Sequence, residues 1–272
     1  MAISSRRHGH NGGMTRQSEE AAAKAGVVVR ELREIDEFRE VYRLFDQIWH
    51  PDPHNAPISV ELMIGFAHTG NYVAGAFEAS TLVGASVGFR AEGGALHSHV
   101  TGAVMGRGVG YALKLHQRDW CQERGLERIT WTFDPLVRRN ARFNLVKLGA
   151  MPEEYLEDFY GAMADAINEG DVSDRLLAVW QVAPEDRGQE VSHVEALPAL
   201  LASEGERPVI RGVQGDRVLV GTPRDIEALR RTDPAAAKEW RTAVRTVLGG
   251  LLGGGGRVIG FTDRGEYVVE VD

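Results

Sequence analysis

Residues 100–113 read VTGAVMGRGVGYAL: a β-branched, apolar run that turns through Gly106, Gly108 and Gly110 straight into a helical pattern. β-branched residues favour an extended chain, and from 111 to 124 the apolar residues recur at helical spacing until Gly125 stops them. The stretch is therefore a strand, a glycine turn and a helix N-terminus in succession. At such a junction glycine lets the backbone approach a ligand with no Cβ in the way. The first N–H groups of the helix point outward with partial positive charge, which suits a pyrophosphate. Two common phosphate-binding patterns do not fit. The dinucleotide fingerprint needs a third glycine where Leu113 stands, and the Gly-Lys-Ser/Thr of the phosphate loop is missing.

On the N-terminal side, VVVRELRE (27–34) suits a strand. Residues 35–49 follow with Ile35, Phe38, Val41, Tyr42, Phe45, Ile48 and Trp49 on one helical stripe. Three prolines between 50 and 57 end that helix, and Ser59 is placed to cap the next. The period then changes to strand-like runs at 72–78, 81–90 and 95–104, joined by short turns as an antiparallel meander. On the C-terminal side, RITWTF (128–133) is a strand broken by Asp134-Pro135, 140–148 is a helix ending at Gly149, and 175–182 is a further strand. The order is strand, two helices, three strands, helix, strand, helix and one or two more strands. This predicts an α/β domain over 27–183 with a mixed, mostly antiparallel central sheet flanked by helices. Residues 1–26 are expected to be a disordered tail and 184–208 a linker, with a helical turn at 194–201. Residues 209–272 are expected to form a small α+β unit, strands at 209–220 and 257–271 flanking a helix at 224–248. A unit of that size is marginal alone and should dock on the first domain or on a second copy, as a homodimer. The glycines at 253–256 lack a following Lys-Ser/Thr and read as a flexible connection.

The composition is that of a globular protein: 272 residues, 43% hydrophobic and 26% charged. A net charge of −8 argues against nucleic acid and anionic membranes as partners. The single cysteine, Cys121, excludes an intrachain disulfide and a cysteine-based zinc site, and points to a reducing, cytoplasmic setting. No apolar run is long enough to span a bilayer, and the polar N-terminus lacks the apolar centre of a secretory signal. His8 and His10 there are read as solvated rather than as metal ligands, and no metal site is expected.

Taken in order, these elements resemble the GNAT superfamily of acyl-CoA-dependent N-acyltransferases, in a less-characterised branch with a C-terminal extension. The glycine turn is similar to the family's Arg/Gln-x-x-Gly-x-Gly/Ala. RITWTFDP looks like its fifth strand, and NARFNLVKLGA (140–150) like the segment written around Asn-x-x-Ala and Lys-x-Gly-Phe. The resemblance implies acetyl-CoA or another acyl-CoA as co-substrate and a small-molecule amine or amino acid as acceptor, attacking the thioester directly. It implies splayed fourth and fifth strands, with the pantetheine arm pairing near 101–104. The amides of Arg107, Gly108, Val109, Gly110 and Tyr111 would cradle the pyrophosphate beside Val104 and Met105. Asn140 would contact the pantetheine or diphosphate, and Arg138 and Arg139 would lend charge. Three positions depart from the pattern: Met105 stands for Arg or Gln, Gly149-Ala150 for Gly-Phe, and Leu145 for a tyrosine that protonates the departing thiolate. Leu145 leaves open another acid, a solvent-assisted departure, or a non-catalytic acyl-CoA-binding or regulatory protein. The same branch suggests amino-acid N-succinylation as an alternative.

His99 and His97 share a strand face by alternation, upstream of the expected thioester, and are the candidate bases; a hydrogen-bonded core role is the alternative for either. Asp134, at the carboxyl end of a strand, is the candidate receptor for a substrate ammonium, or else an Asp-Pro turn residue. Arg175, beside Asp174, is the candidate fork for a substrate carboxylate. Tyr155 and Tyr160 are candidate replacement acids, packing being the alternative, and Cys121 is expected to be packed rather than nucleophilic.

Overall fold

The computed structural model describes residues 14–50, 56–161, 172–183, 194–212 and 215–271. It divides into two compact units. One takes the described residues up to Ile48 with Pro57–Arg90 and Ser98–Leu126; the other includes Ala91–His97 and Glu127–Asp272.

The first unit opens with α1 (Met14–Ala25), then β1 (Val28–Glu31), α2 (Ile35–Trp49) and α3 (Val60–His68). The meander follows as β2 (Tyr72–Glu78), β3 (Thr81–Ala91) and β4 (Ala95–Ala103), leading into α4 (Val109–Glu123). Ser59 caps α3 as expected, its Oγ accepting from Leu62 N at 3.2 Å. β2 is buried on both faces from Tyr72 to Phe77, as a central strand between layers should be. α1 corrects the expectation of a disordered tail over 14–25; residues 1–13, with His8 and His10, lie outside the described residues. The AAAKA segment is made of strong helix formers, and Ala21, Ala22 and Ala25 pack with Val27, Val83, Val109, Ala112 and Leu113. Small methyls let α1 sit close against α4, and Gly26, at φ 68°, ends it.

The second unit continues with β5 (Arg128–Phe133), α5 (Arg138–Ala141) extended by a π-helical segment Arg142–Leu148, β6 (Met151–Leu156) and β7 (Arg175–Gln181). The seven-stranded sheet has the order β1-β2-β3-β4-β5-β7-β6. Pairing is antiparallel at β1–β2, β2–β3, β5–β7 and β6–β7, and parallel at β4–β5, where Ala95, Leu96 and His97 face Arg128, Ile129 and Thr130.

The expected linker is corrected where it is described. β8 (Ala199–Glu204) and β9 (Arg207–Ile210) form a hairpin through Gly205, at φ 61°. Its alternation was obscured by the Glu, Gly and Pro around it. β10 (Arg217–Gly221), α6 (Ile226–Thr232), α7 (Pro234–Val244), a π-helical turn Arg245–Gly249, α8 (Gly250–Gly253), β11 (Arg257–Phe261) and β12 (Glu266–Glu270) complete a sheet of order β11-β12-β10-β8-β9. The single helix expected at 224–248 is broken at Asp233-Pro234, where Asp233 Oδ1 caps α7 through Ala236 N at 3.0 Å. Trp240 and Tyr267 are fully buried at its centre. The glycines after α8 form a tight turn: a Cβ on Gly256 would lie 2.9 Å from Leu251 O.

Candidate functional site

At the β4–α4 junction the chain passes from strand to helix through residues 104–108. Val104 N–H donates to Val83 O at 2.9 Å, after which the chain turns through Gly106 and Gly108, at φ 85° and 81°, a region that glycine adopts without strain. The first intrahelical bond of α4 runs from Ala112 N to Gly108 O at 3.0 Å, so Val109 and Gly110 have no carbonyl one turn back to receive their N–H groups. A Cβ built on Gly106, Gly108 or Gly110 would meet nothing within 4 Å, which leaves the backbone open to a ligand. Val109, Ala112 and Leu113 are buried and anchor the helix, while Tyr111 is half-buried on its first turn. Met105 is 78% exposed and supplies no charge; Val104 is also exposed. The Arg107 guanidinium forks onto Glu78 at 2.8 and 2.7 Å. This bond raises the arginine's pKa and lowers the glutamate's. What Arg107 offers the turn is therefore its amide. What the turn offers an anion is main-chain N–H groups rather than side-chain charge.

β4 is irregular just upstream. Ser98 is buried and accepts from Lys114 Nζ on α4 at 2.8 Å. Thr101 Oγ1 lies 2.7 Å from Ser86 Oγ, which accepts from Gln117 Nε2 on α4 at 3.3 Å. Two residues three apart on a regular strand face opposite ways; here both face α4, so β4 slips by one residue between them. His99 is exposed on the other face, with Nε2 3.0 Å from Pro57 O and its ring centroid 6.1 Å from that of Phe89. A carbonyl only accepts, so Nε2 carries a proton, which places the lone pair of the ring's neutral form at Nδ1. His97 is half-buried in the second unit, with Nδ1 3.1 Å from Thr130 Oγ1.

Several expected substrate contacts are corrected in the second unit. Asp134 is buried and its carboxylate is taken: Arg241 bonds both oxygens at 2.8 and 2.9 Å, Arg230 bonds one at 2.8 Å, and Leu136 N donates at 2.9 Å. Burial by itself would raise its pKa, but the Arg241 and Arg230 guanidiniums outweigh that and hold it well below the usual carboxylate range. It is a structural anchor for α6 and α7, not a receptor for a substrate ammonium. Arg175 is buried, donates to Asp174 O at 3.0 Å and lies 5.6 Å from the Tyr160 ring centre, so it presents no fork to solvent. Arg138 bonds Thr222 and Arg139 bonds Glu227, which takes both away from a phosphate role.

Asn140 sits half-exposed on α5, placed by its N–H bond to Val137 O. Leu145, where a tyrosine would serve as acid, is buried in the π-helical segment. Tyr155 is no substitute. Its hydroxyl donates to Asp174 at 2.7 Å, and burial, reinforced by that carboxylate, drives its pKa far up. Tyr160 is 44% exposed, with its hydroxyl 2.9 Å from Thr132 Oγ1. Cys121 is a buried free thiol, as expected. No sequence pattern singles out Lys114 or Ser86, and strand alternation says of Ser98 only that it points opposite to His97 and His99. The only signal for them was a lysine and a glutamine, three residues apart, between apolar neighbours of an otherwise buried helix face.

Among the described residues, no group of metal-ligating side chains and no helix long and apolar enough to cross a membrane is present. No family model matches the chain, and no curated protein matches it. Solved structures similar to it include the ribosomal-protein-S18-alanine N-acetyltransferase of Escherichia coli, 13% identical over 60% of this chain and 99% of that one, with a TM-score of 0.46. Ard1 of Thermoplasma volcanium is 17% identical over 58% and 99%, at 0.47. An N-acetyltransferase of Staphylococcus aureus Mu50 is 9% identical over 57% and 98%, at 0.46. Likeness at this level carries no activity across. By its own element order and strand pairing, the chain has the α/β fold with a mixed, mostly antiparallel sheet flanked by helices that its sequence led us to expect.

Proposed function

We propose that the protein is an N-acyltransferase that takes acetyl-CoA or a related acyl-CoA as donor and a small-molecule amine or amino acid as acceptor. The observation that carries this is the glycine turn, whose backbone is open at Gly106, Gly108 and Gly110 beside the N–H groups of Val109 and Gly110 at the start of α4. The amides of 107–111 would hold the pyrophosphate with Val104 and Met105 alongside, and the backbone of 101–104 would pair with the pantetheine arm. The bound donor supplies an activated thioester. The chain's part is to orient it and to take a proton from the acceptor ammonium, for which His99 offers Nδ1 directly or through a water, with His97 as the second candidate.

The buried Leu145 favours a second reading, an acyl-CoA-binding protein without transfer, because no hydroxyl acid stands at that position. Thermal shift with CoA and acetyl-CoA tests binding: a shift that grows with ligand is expected, and none at saturating concentration overturns both readings. Release of free thiol with a panel of amines then separates transfer from binding. For the base, His99→Ala should lower kcat about 100-fold, within the usual range for a general base, with CoA affinity unchanged. An unaltered kcat would remove His99 from the mechanism.

A further inference from the structure

A lysine ammonium is expensive to bury, and a methionine or leucine would fill the same space without the cost. Lys114 is nevertheless 5% exposed on the sheet-facing side of α4, one turn in from the glycine turn. It donates to Ser98 Oγ at 2.8 Å and to Gln117 Oε1 at 3.4 Å. Gln117 in turn donates to Ser86, and Ser86 meets Thr101. The chain of bonds thus reaches both ends of the one-residue slip in β4: Ser98 before it and Thr101 after it. An irregular strand segment has lost part of its ladder and needs other bonds to hold one conformation.

We propose that Lys114, as its ammonium, is a positioning residue that clamps the slip in β4 and so sets the backbone of 101–104 for binding the acyl donor. This rests on the reading of 101–104 as the segment that pairs with the pantetheine arm. The ammonium holds its two acceptors by charge-assisted hydrogen bonds, about twice as strong as those of the neutral amine, whose two remaining N–H groups carry no charge. Burial pushes the Lys114 pKa down to about 7. Among the groups facing it are Ser98 and Gln117, both uncharged, and the Cys121 thiol two turns further along α4. Burial pushes that thiol up to about 12, so it stays protonated. Tyr72, behind Cys121 on β2, stays neutral because burial raises its pKa, and its hydroxyl is paired with His116 Nδ1 at 2.9 Å. The clamp should therefore weaken as pH rises through neutrality.

The test compares the full chain with Lys114→Met, using CoA itself as the ligand in calorimetric titrations at pH 6 and pH 8.5, with melting temperature as the check on fold. The Kd of the variant should exceed that of the wild type about tenfold at pH 6, and the ratio should fall toward one at pH 8.5, with a melting temperature unchanged or raised. Ser98→Ala should weaken binding similarly, and the double variant no further, because both changes break one linkage. A ratio near one at pH 6 overturns the proposal. So does a tenfold ratio at both pH values, which would make side-chain shape rather than charge the cause. Should Met distort the helix and lower the melting temperature, Gln117→Leu gives the same test from the other end of the clamp. Failure of the wild type to bind CoA at either pH defeats the donor-site reading instead, and the clamp with it.

Discussion

Asp134 shows how far a residue's role depends on what reaches it. Its identity and its place after a β-rich run fit either a substrate receptor or a turn, and both put it at the surface. Arg230 and Arg241, about a hundred positions later in the chain, make it a buried hub instead. Replacing it with asparagine leaves two guanidiniums facing a neutral amide, and Asp134→Asn should cost about 3–5 kcal/mol, read as a fall in urea midpoint at pH 7. The same pairing has a pH signature. Because the folded pKa lies below the unfolded value of about 4, the carboxylate's contribution is complete above that value and is lost as pH falls below it. Wild-type stability should drop steeply below about pH 4, and the part due to Asp134 should be missing from the asparagine variant; parallel pH profiles would contradict this account.

At the scale of elements, the glycine turn, α2 and β2–β5 follow directly from local pattern. Helix periodicity, strand alternation and Gly or Pro at the boundaries all point the same way there. α1 and the β8–β9 hairpin were missed because a short alanine-rich stretch and a short polar hairpin acquire stability only from what they pack against. The turn itself can be tested without disturbing the fold. Gly110 has no left-handed φ and open space at its Cβ position, so Gly110→Ala should keep or raise stability by about 0.5 kcal/mol. It should nevertheless abolish most of the CoA-induced thermal shift, because the added methyl enters the space where the pyrophosphate would lie. A shift equal to that of the wild type would place the ligand elsewhere. Gly108→Val is the weaker test, since a φ of 81° strains any β-branched residue.

Within the second unit, residues 194–271 are part of the structure that contains β5, β6 and β7. Tyr267 Oη donates to Pro135 O at 2.8 Å, and Arg245 grips Asp174 at 2.9 and 2.5 Å. With Arg230 and Arg241 on Asp134, the C-terminal segment satisfies two acids that the preceding strands bury. A chain ending at residue 183 should therefore lose cooperative unfolding and aggregate, as seen by circular dichroism melts and size exclusion. A monomeric truncated chain that melts at the full-length temperature would show the two parts to be independent.

Local sequence determined α2, the strands β2–β5, the glycine turn and the amphipathic helix behind it, because each is specified by residues within one or two turns of the chain. Tertiary structure alone decided which polar side chains remain available. Asp134, Arg138 and Arg139 looked like surface ligands and are instead taken by residues distant in sequence, Arg175 is buried beside Tyr160, and Lys114, which no sequence pattern singled out, bonds Ser98 of β4. The physical reason is that a hydrogen bond or ion pair needs its partner within about 3 Å, and proximity between positions tens to a hundred residues apart is set by packing, not by any pattern along the chain.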